Sequence, residues 1–287
     1  MLKKLLFAVM IFSTLTIAEE IQITAAKDNS IFSDDTLASN GAGEYLFVGR
    51  TNHSGLRRAL IYFNVADAIP AGATIESVSL SLNMNKTKGG SFNLGIHTLN
   101  ADWGEGSSDN GSREGGGAPA TKNDATWTQS FFDSLSWANP GADFNATADA
   151  TISVGATALY TWGSNAAMVS TVQNWLDNPA SNFGWLVKGN ESTDQSTKRF
   201  ESRESTTKPT LTITYSSVTA IAVNKSKRAD RFLLSENYPN PFNPSTKIDI
   251  TVPSANRESF KLEIFNITGQ LVRKLFSGTL PSGNYTF

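Results

Sequence analysis

The amino-acid sequence predicts an all-β protein: a jelly-roll-like antiparallel β-sandwich with one short helix, plus an incomplete small β-sandwich tail domain. Alternating apolar residues are the main reason, and residues 77–84 show the alternation most clearly. Residues 92–96 and 210–215 repeat it. Because successive side chains of a strand point to opposite faces, this period of two is typical of half-buried strands. Gly, Asn and Ser between many short strands favour a sandwich or jelly roll.

Less regular apolar runs predict the remaining strands, at residues 21–26, 45–49, 58–64, 150–154, 184–189 and 199–202. Residues 165–178 instead have the spacing of one helix face, occupied by Met168, Val172, Trp175 and Leu176. Ser164 is the candidate N-cap, and Pro179 follows the last turn. We expect this helix to pack on the core and cover one end of the sandwich.

The N-terminal residues have the three parts of a secretory signal peptide. Lys3 and Lys4 form a short positive region, and an apolar run follows over residues 5–17. Small residues then precede a predicted cleavage site between Ala18 and Glu19. We therefore expect a secreted protein, with an uncleaved membrane anchor as the alternative. No later stretch approaches the ~20 apolar residues that span a bilayer, so no membrane span is expected in the mature chain.

Composition excludes several classes of function. The chain has no cysteine, which excludes disulfides and thiol catalysis, and its two histidines are too few for the usual zinc clusters. A formal net charge of −2 lacks the basic character of a nucleic-acid-binding protein. Neither a GxSxG nucleophile elbow nor a phosphate-binding GxxxxGK[ST] loop is present, so His53 and His97 have no evident catalytic partner.

The chain divides by sequence into four segments. The signal peptide covers residues 1–18, and the sandwich module covers residues 19–217. Residues 218–232 are basic and have no apolar period, which is typical of a linker. Residues 233–287 form the tail domain.

The tail contains two distinctive strings, LSENYPNPFNPST at residues 234–246 and KLEIFNITGQLVRKL at residues 261–275. It resembles the C-terminal sorting domain of type IX secretion substrates in Bacteroidetes-like bacteria. The motif residues are Asn237, Tyr238, Pro239, Asn240, Pro241, Phe242, Asn243 and Pro244. The resemblance implies the type IX secretion machinery as a partner and an extracellular or cell-surface destination. Such domains usually continue through more strands, so we expect a truncated domain ending at Phe287.

The body contains a second series of strings, in order AAKDNSIFSD, RRALIYFNV, IPAGATIESVSLSL, DWGEG, DATW, WANPGADF, VQNWLDNP, NFGWLVKGNE, FESRES and KPTLTITY. Together they cover roughly residues 21–215 and resemble DNRLRE-type modules, which include disaggregatase-related and alginate-binding carbohydrate modules. The resemblance implies a jelly-roll-like sandwich in a secreted protein, and carbohydrate binding without catalysis. It implies the fold more directly than the ligand.

The irregular stretch at residues 100–145 holds three tryptophans, Trp103, Trp127 and Trp137. An aromatic face stacks well on the C–H face of a sugar ring, so each is a candidate carbohydrate-binding residue. The alternative is that each ring anchors its loop on the sandwich, because a large apolar surface favours burial. For Trp175 and Trp185, which lie in core-like patterns, core packing is expected.

Basic residues on or beside predicted strands are candidates for binding acidic sugars: Arg57, Arg58, Lys188, Arg199 and Arg203. An arginine fork binds a carboxylate through two hydrogen bonds, as a uronic acid polymer requires. The alternative is pairing within the protein, with Glu201, Glu204 or Asp35. Arg203, between two glutamates in ESRES, favours that alternative.

Asp102 and Glu105, in DWGEG, are the best candidates for a carboxylate pair. Turn formation is the common role of such acids, and calcium binding together with Asp109 or Asn110 is the metal-ion alternative. Glycoside hydrolysis would need two carboxyls fixed across a cleft, which a glycine-rich loop does not provide. Calcium is thus the one cofactor that the sequence leaves open.

These observations predict a secreted, non-catalytic carbohydrate-binding module for an acidic polysaccharide, such as a uronate-containing polymer. The first alternative is a structural or adhesion protein of the cell surface or matrix without a glycan site. A polysaccharide-degrading enzyme is the second. No nucleic acid is expected as a partner.

Overall fold

A computed structural model describes residues 16–218, 232–241, 245–253 and 259–287. The chain divides into two compact units, residues 1–218 and 219–287. Residues 1–15 of the predicted signal peptide lie outside the described residues, as does nearly all of the expected linker. None of the described helices is both long and apolar enough to cross a membrane.

Most of the regular elements that the structure describes in the first unit are strands. They are β1 (Thr16–Thr24), β2 (Lys27–Phe32), β3 (Ala38–Ser39), β4 (Tyr45–Arg50), β5 (Leu56–Tyr62), β6 (Thr74–Thr87), β7 (Phe92–Thr98), β8 (Ala118–Pro119), β9 (Gln129–Phe131), β10 (Leu135–Ser136), β11 (Ala150–Val154), β12 (Ala158–Trp162), β13 (Trp185–Lys188), β14 (Lys198–Glu201) and β15 (Thr210–Val218). The helices are α1 (Val65–Ala68), α2 (Ala166–Asp177) and the short 3-10 helices Gly111–Gly116 and Pro179–Ser181.

The strands form an antiparallel sandwich, as the sequence predicts. One curled sheet runs in the order β1-β15-β6-β14-β4-β5-β13-β7-β11, and β12 adds to β6. Strand β4 passes from one layer to the other. Its residues Tyr45–Val48 pair with β14, and the next two residues, Gly49 and Arg50, pair with β5. Strand β2 pairs with β5 beside it.

The main core lies between the two layers and follows the alternation of the strands. In β6, Val78, Leu80, Leu82 and Met84 are all buried, whereas the polar residues between them are half-exposed. Trp175 and Trp185 belong to the same core, with ring centroids 4.5 Å apart. The expectation that these two tryptophans pack in the core is confirmed.

Helix α2 covers one part of this core. Its buried residues are Met168, Val172, Trp175 and Leu176, the four that the spacing places on one face. The predicted cap was wrong, because Asn165 caps the helix: its Oδ1 accepts from the backbone N of Ala167 at 2.8 Å and of Met168 at 3.0 Å. The Ser164 hydroxyl accepts instead from the backbone N of Val78 at 3.0 Å.

The long irregular segment packs on the outer face of strands β5 and β13. There it forms a second, smaller core that contains Ile31, Leu60, Leu99, Trp103, Ala125, Trp137, Ala142 and Leu186. Its strand pairing is sparse: β8 pairs with β3, β9 pairs with β10, and Phe144 forms an isolated bridge with Leu99. The segment therefore has an ordered interior although its sequence has no strand period.

The second unit contains two small sheets. Strands β16 (Leu233–Leu234), β17 (Asp249–Val252) and β20 (Gly283–Thr286) form one, and β18 (Phe260–Phe265) pairs with β19 (Leu271–Gly278) in the other. Of the predicted sorting motif, Asn237 to Pro241 are described, with Tyr238 bridging Lys247, while Phe242, Asn243 and Pro244 lie outside the described residues.

Candidate binding cleft

An open cleft of about 820 Å³ lies on the outer face of the layer that contains β6, β14 and β15. Strands β4, β6 and β14 form its floor, and the segment around the 3-10 helix Gly111–Gly116 forms one wall. The lining includes two aromatic and four cationic side chains: Tyr45, Phe47, Lys86, Lys88, Arg113 and Arg199.

Strand register brings distant residues together in the floor. Arg199 of β14 lies directly opposite Phe47 of β4 on one side and Lys86 of β6 on the other. Residues directly opposite in an antiparallel sheet share a face. The next residue along, Phe200, points into the main core, so the row containing Arg199 points outward.

The Arg199 side chain is held at two points. Its Cζ lies 3.8 Å from the centroid of the Tyr45 ring, and its Nε donates to Asn85 Oδ1 at 2.8 Å. Arg199 forms no ion pair in the part of the chain that the structure describes, and neither do Lys86, Lys88 or Arg113. The positive charge of the cleft is therefore not neutralised by contacts within the described protein.

Glu201 lies on the same strand face, two residues from Arg199, and is bound by amides rather than by cations. Its two carboxylate oxygens accept from Asn83 Nδ2 at 2.9 Å and from Asn85 Nδ2 at 3.3 Å. Partial burial alone would raise the pKa of Glu201, but hydrogen bonds from Asn83, Thr207 and Asn85 outweigh burial and lower it. Glu201 is accordingly a carboxylate at neutral pH.

Hydrogen bonds to the buried Glu114 side chain hold the wall, residues 109–117, against the sandwich. The buried Glu114 carboxylate accepts from the backbone N of Tyr45 at 2.8 Å and from Asn40 Nδ2 at 3.1 Å, and burial raises the pKa of this group. Gly117 has φ of +71°, and a Cβ there would lie 2.8 Å from the Phe32 ring. Glycine is therefore required at this close approach. With Glu114 buried, the exposed acids of the lining are Glu44 and Asp109.

A buried lysine fixes the opposite end of the floor. The Lys198 ammonium donates to Thr87 Oγ1 at 2.5 Å, to the carbonyl of Gly90 at 2.8 Å and to that of Lys88 at 2.9 Å. Burial lowers the pKa of Lys198. Its three hydrogen bonds hold the turn after β6, which carries Lys88 at the edge of the cleft.

The loop tryptophans lie away from this cleft. Trp103 is fully buried and Trp137 is 5% exposed, and their indole nitrogens donate to the carbonyls of Phe183 and Thr126. Both rings therefore anchor the irregular segment, which is the alternative that the sequence left open, and neither presents an exposed face to a sugar. Trp127 is half-buried beside Arg58, whose Cζ lies 4.7 Å from its ring.

Arg58 and Lys188 lie opposite each other on β5 and β13, in the other layer of the sandwich, and the Lys188 side chain is 34% exposed. Arg58 donates to both carboxylate oxygens of Glu191, at 2.7 and 3.0 Å, and to the carbonyl of Gly141 at 2.6 Å. Lys188 lies 3.6 Å from the same Glu191. These contacts correspond to pairing within the protein, although with an acid that the sequence did not indicate.

Arg203 and Arg57 also have acidic partners. Arg203 pairs with Glu204 at 2.9 Å and approaches Glu105 at 3.4 Å, whereas Arg57 pairs with Asp34 rather than Asp35. Of the basic candidates, the structure brings Arg199 alone into the cleft lining. The other cations of the lining were not predicted as site residues.

The acidic candidates do not converge. Asp102 pairs with Lys27 at 2.9 Å, Glu105 Oε1 accepts from the backbone N of Asp28 at 2.8 Å, and Asp109 Oδ1 accepts from that of Gly111 at 2.7 Å. Within the described ranges, no group of three or more His, Asp or Glu side chains is placed to hold a metal ion. Calcium binding by these residues stays a prediction.

No protein-family model matches the chain, and no curated protein gives a significant match. The candidate site therefore depends on its own geometry. Strand alternation places Tyr45 and Arg199 on the outward face, but it would place Lys86 inward with Met84. Lys86 lies opposite Arg199 because a β-bulge shifts the register between β6 and β14 after Met84.

Proposed function

We propose that this chain is a secreted, non-catalytic protein that binds an anionic polysaccharide in the cleft over β4, β14 and β6. The supporting observation is the cationic lining, in which Arg199, Lys86 and Lys88 have no acidic partner among the described residues. An open cleft suits a segment of a polymer better than a small molecule. Tyr45 supplies apolar surface beside the charges, whereas Phe47 is buried, at 8% exposed.

The charge distribution determines how such binding depends on salt. Lys86, Lys88 and Arg113 are exposed, so their attraction for a polyanion is screened within ~10 Å at 0.1 M salt. Exposed ion pairs each contribute about 0.2–1 kcal/mol, so the affinity of one site should be weak and should fall as salt rises. Arg199, which is half-buried, should lose less affinity to screening than the exposed lysines.

The proposed location is outside the cell, since the N-terminal pattern predicts a signal peptide and the tail resembles a type IX sorting domain. Both remain proposals for this chain. A polysaccharide of the cell surface or of the surroundings would then be accessible to the cleft. Calcium carried by the polysaccharide or by the protein is the remaining cofactor hypothesis.

Affinity electrophoresis in gels that contain alginate, polygalacturonate or a neutral glucan tests this proposal. The wild-type protein should be retarded by the two acidic polymers, and the double variant Lys86→Ala/Lys88→Ala should be retarded less at low salt. Lys122→Ala removes an exposed cation outside the cleft lining and is the matched control. Gels run with and without EDTA test the calcium hypothesis.

Migration equal to that in a blank gel, in all three polymers, would contradict the proposal and favour the structural or adhesion role. Retardation by the neutral glucan alone would keep a binding role but exclude the cations from it. Release of reducing sugar from any of the polymers would indicate an enzyme instead.

A further inference from the structure

We propose that Glu201, acting through the side-chain amide of Asn85, orients the Arg199 guanidinium so that its two terminal nitrogens bind an acid group with two oxygens. This inference rests on the proposed function, because it places the anionic ligand in the same cleft. It adds two positioning residues, Glu201 and Asn85, that need not touch the ligand.

The orientation of the Asn85 amide follows from hydrogen-bond chemistry. A carboxylate can only accept, so the amide nitrogen of Asn85 must face Glu201, as it does at 3.3 Å. The amide oxygen is then directed to the other side, where it accepts from Arg199 Nε at 2.8 Å. Asn83, which donates to the second oxygen of Glu201 at 2.9 Å, keeps the carboxylate in place.

Arg199 is thereby restrained without being neutralised. One edge of the planar guanidinium is bound through Nε, and the group lies over the Tyr45 ring at 3.8 Å. The terminal nitrogens have no hydrogen-bond partner within the residues that the structure describes. Glu201 and Arg199 form no direct ion pair, although attraction between the two charges contributes to lowering the pKa of Glu201, so the terminal nitrogens of Arg199 remain available to a ligand.

A restrained, planar fork favours an acid group with two suitably spaced oxygens. Such a group makes two parallel hydrogen bonds with arginine, and less side-chain freedom is lost when the arginine is already held. Uronate carboxylates and sulfate esters both offer this chemistry. Lys86, directly opposite Arg199, adds positive charge but no fixed geometry.

Glu201→Gln separates two explanations, because the change in charge predicts tighter binding of a polyanion and the loss of orientation predicts weaker binding. Removing a negative charge near the cleft should strengthen binding of a polyanion if long-range electrostatics alone operates. If Glu201 orients Asn85, the glutamine can present its own N–H to the amide, and the fixed orientation is lost. We expect binding of an oligogalacturonate to weaken about tenfold at 0.15 M salt, the effect of one lost charge-assisted hydrogen bond.

Three further variants complete the experiment, each measured by calorimetry or fluorescence titration on the full chain. Arg199→Lys keeps the charge and removes the fork, and we expect about a tenfold loss. In the Arg199→Lys background, Glu201→Gln should cause no further loss, because the two changes act on one interaction. Glu76→Gln, which removes an exposed carboxylate from β6 outside the cleft lining, should leave binding unchanged.

The ligand series separates the sources of the acid group. Oligogalacturonate presents carboxylates, its methyl ester removes their charge, and a sulfated dextran oligosaccharide presents sulfate esters. Loss of binding on esterification assigns the carboxylate, and retention of the sulfated ligand alone assigns the sulfate ester.

Binding by wild type together with equal or tighter binding by Glu201→Gln would overturn the orienting role but not the proposed function. Wild type with no affinity for any anionic ligand would overturn both. Nuclear magnetic resonance of the Arg199 Nε–H in the free protein provides a check without ligand: exchange with water should be slow in wild type and faster in Glu201→Gln. Unchanged exchange would also overturn the orienting role of Glu201.

Discussion

Arg58 and Glu191 form a two-point ion pair in the interior of the first unit. Arg58 Nε and Nη2 lie 2.7 and 3.0 Å from the two carboxylate oxygens of Glu191, and both side chains are largely buried, at 10% and 16% exposed. The Arg58 guanidinium also lies between the rings of Trp127 and Phe144, 4.7 and 5.2 Å from their centroids. This arginine therefore fastens the irregular segment to the sandwich.

Arg58→Met should destabilise the fold by about 3 kcal/mol, since breaking a buried pair leaves Glu191 without its main partner. The double variant Arg58→Met/Glu191→Leu should lose much less, because no buried charge remains unpaired. Urea unfolding of Arg58→Met, of Glu191→Leu and of the double variant measures both effects. If the double variant lost as much as the sum of the singles, the pair would not act as a unit. Retardation by acidic polymers should not change.

Trp103→Ala should act on stability rather than on ligand affinity. The ring is fully buried and its Nε1 donates to the Phe183 carbonyl at 2.8 Å, so truncation leaves a cavity and an unpaired acceptor. We expect a loss of about 3–5 kcal/mol in the free energy of unfolding. At a temperature where the variant is folded, its affinity for oligogalacturonate should equal that of wild type. A specific loss of affinity without a loss of stability would restore Trp103 as a ligand-binding residue.

Asp28 should make the stability of the protein depend on pH. Burial, together with the charges of Glu204 and Glu105, raises the pKa of this carboxyl well above its usual range. A raised pKa means that folding disfavours the ionised form, so stability falls as pH rises from the unfolded value of about 3.9 through the folded value. Above the folded pKa, the free-energy cost of burying the ionised Asp28 carboxylate is fully present.

Asp28→Asn removes that cost and retains an oxygen that can accept from the backbone N of Arg203, now 2.8 Å from Asp28 Oδ2. The variant should therefore gain stability relative to wild type as the pH rises above about 4. Urea unfolding at several pH values gives the difference directly. A difference that stays constant with pH would mean that Asp28 does not titrate as described.

Cleavage after Ala18 should leave the sandwich intact. Strand β1 pairs with β15 from Thr16 to Thr24, with Ala18 opposite Ser216, so cleavage shortens β1 to Glu19–Thr24. The remaining residues still include Ile21 and Ile23, which pack against the main core. N-terminal sequencing of the exported protein should give Glu19 as the first residue. Exported protein that begins at Met1 would contradict the prediction.

Much of the fold was predictable because the sandwich core follows a simple alternation. Strand β6 is the clearest case, since its inward residues are apolar and its outward residues are polar. Strand β2 was missed because it is buried on both faces and carries polar residues that bond to neighbouring loops. Asn29, for example, is fully buried and donates to Ser39 Oγ at 2.9 Å and to the Glu105 carbonyl at 2.9 Å.

The site was less predictable, because tertiary contacts decide which side chains remain accessible. Trp103 and Trp137 lie in a stretch without strand period, and the sequence does not show that they build a second core. Tyr45, Lys86 and Arg199 are far apart in sequence, and strand register alone makes them neighbours. Arg199 was identified as a candidate, but its support by Asn85 required knowledge of the pairing of β14 with β6.

Hydrogen–deuterium exchange with and without oligogalacturonate tests most directly whether the cleft binds an anionic polysaccharide. The amides that should exchange more slowly with ligand lie at residues 45–47, 86–90, 109–117 and 197–201, around the floor and the wall of the cleft. Residues 127–144, which carry Trp127 and Trp137, should be unaffected and provide the internal control. Slower exchange at residues 127–144 alone, or at no site under conditions where the ligand binds, would contradict the account.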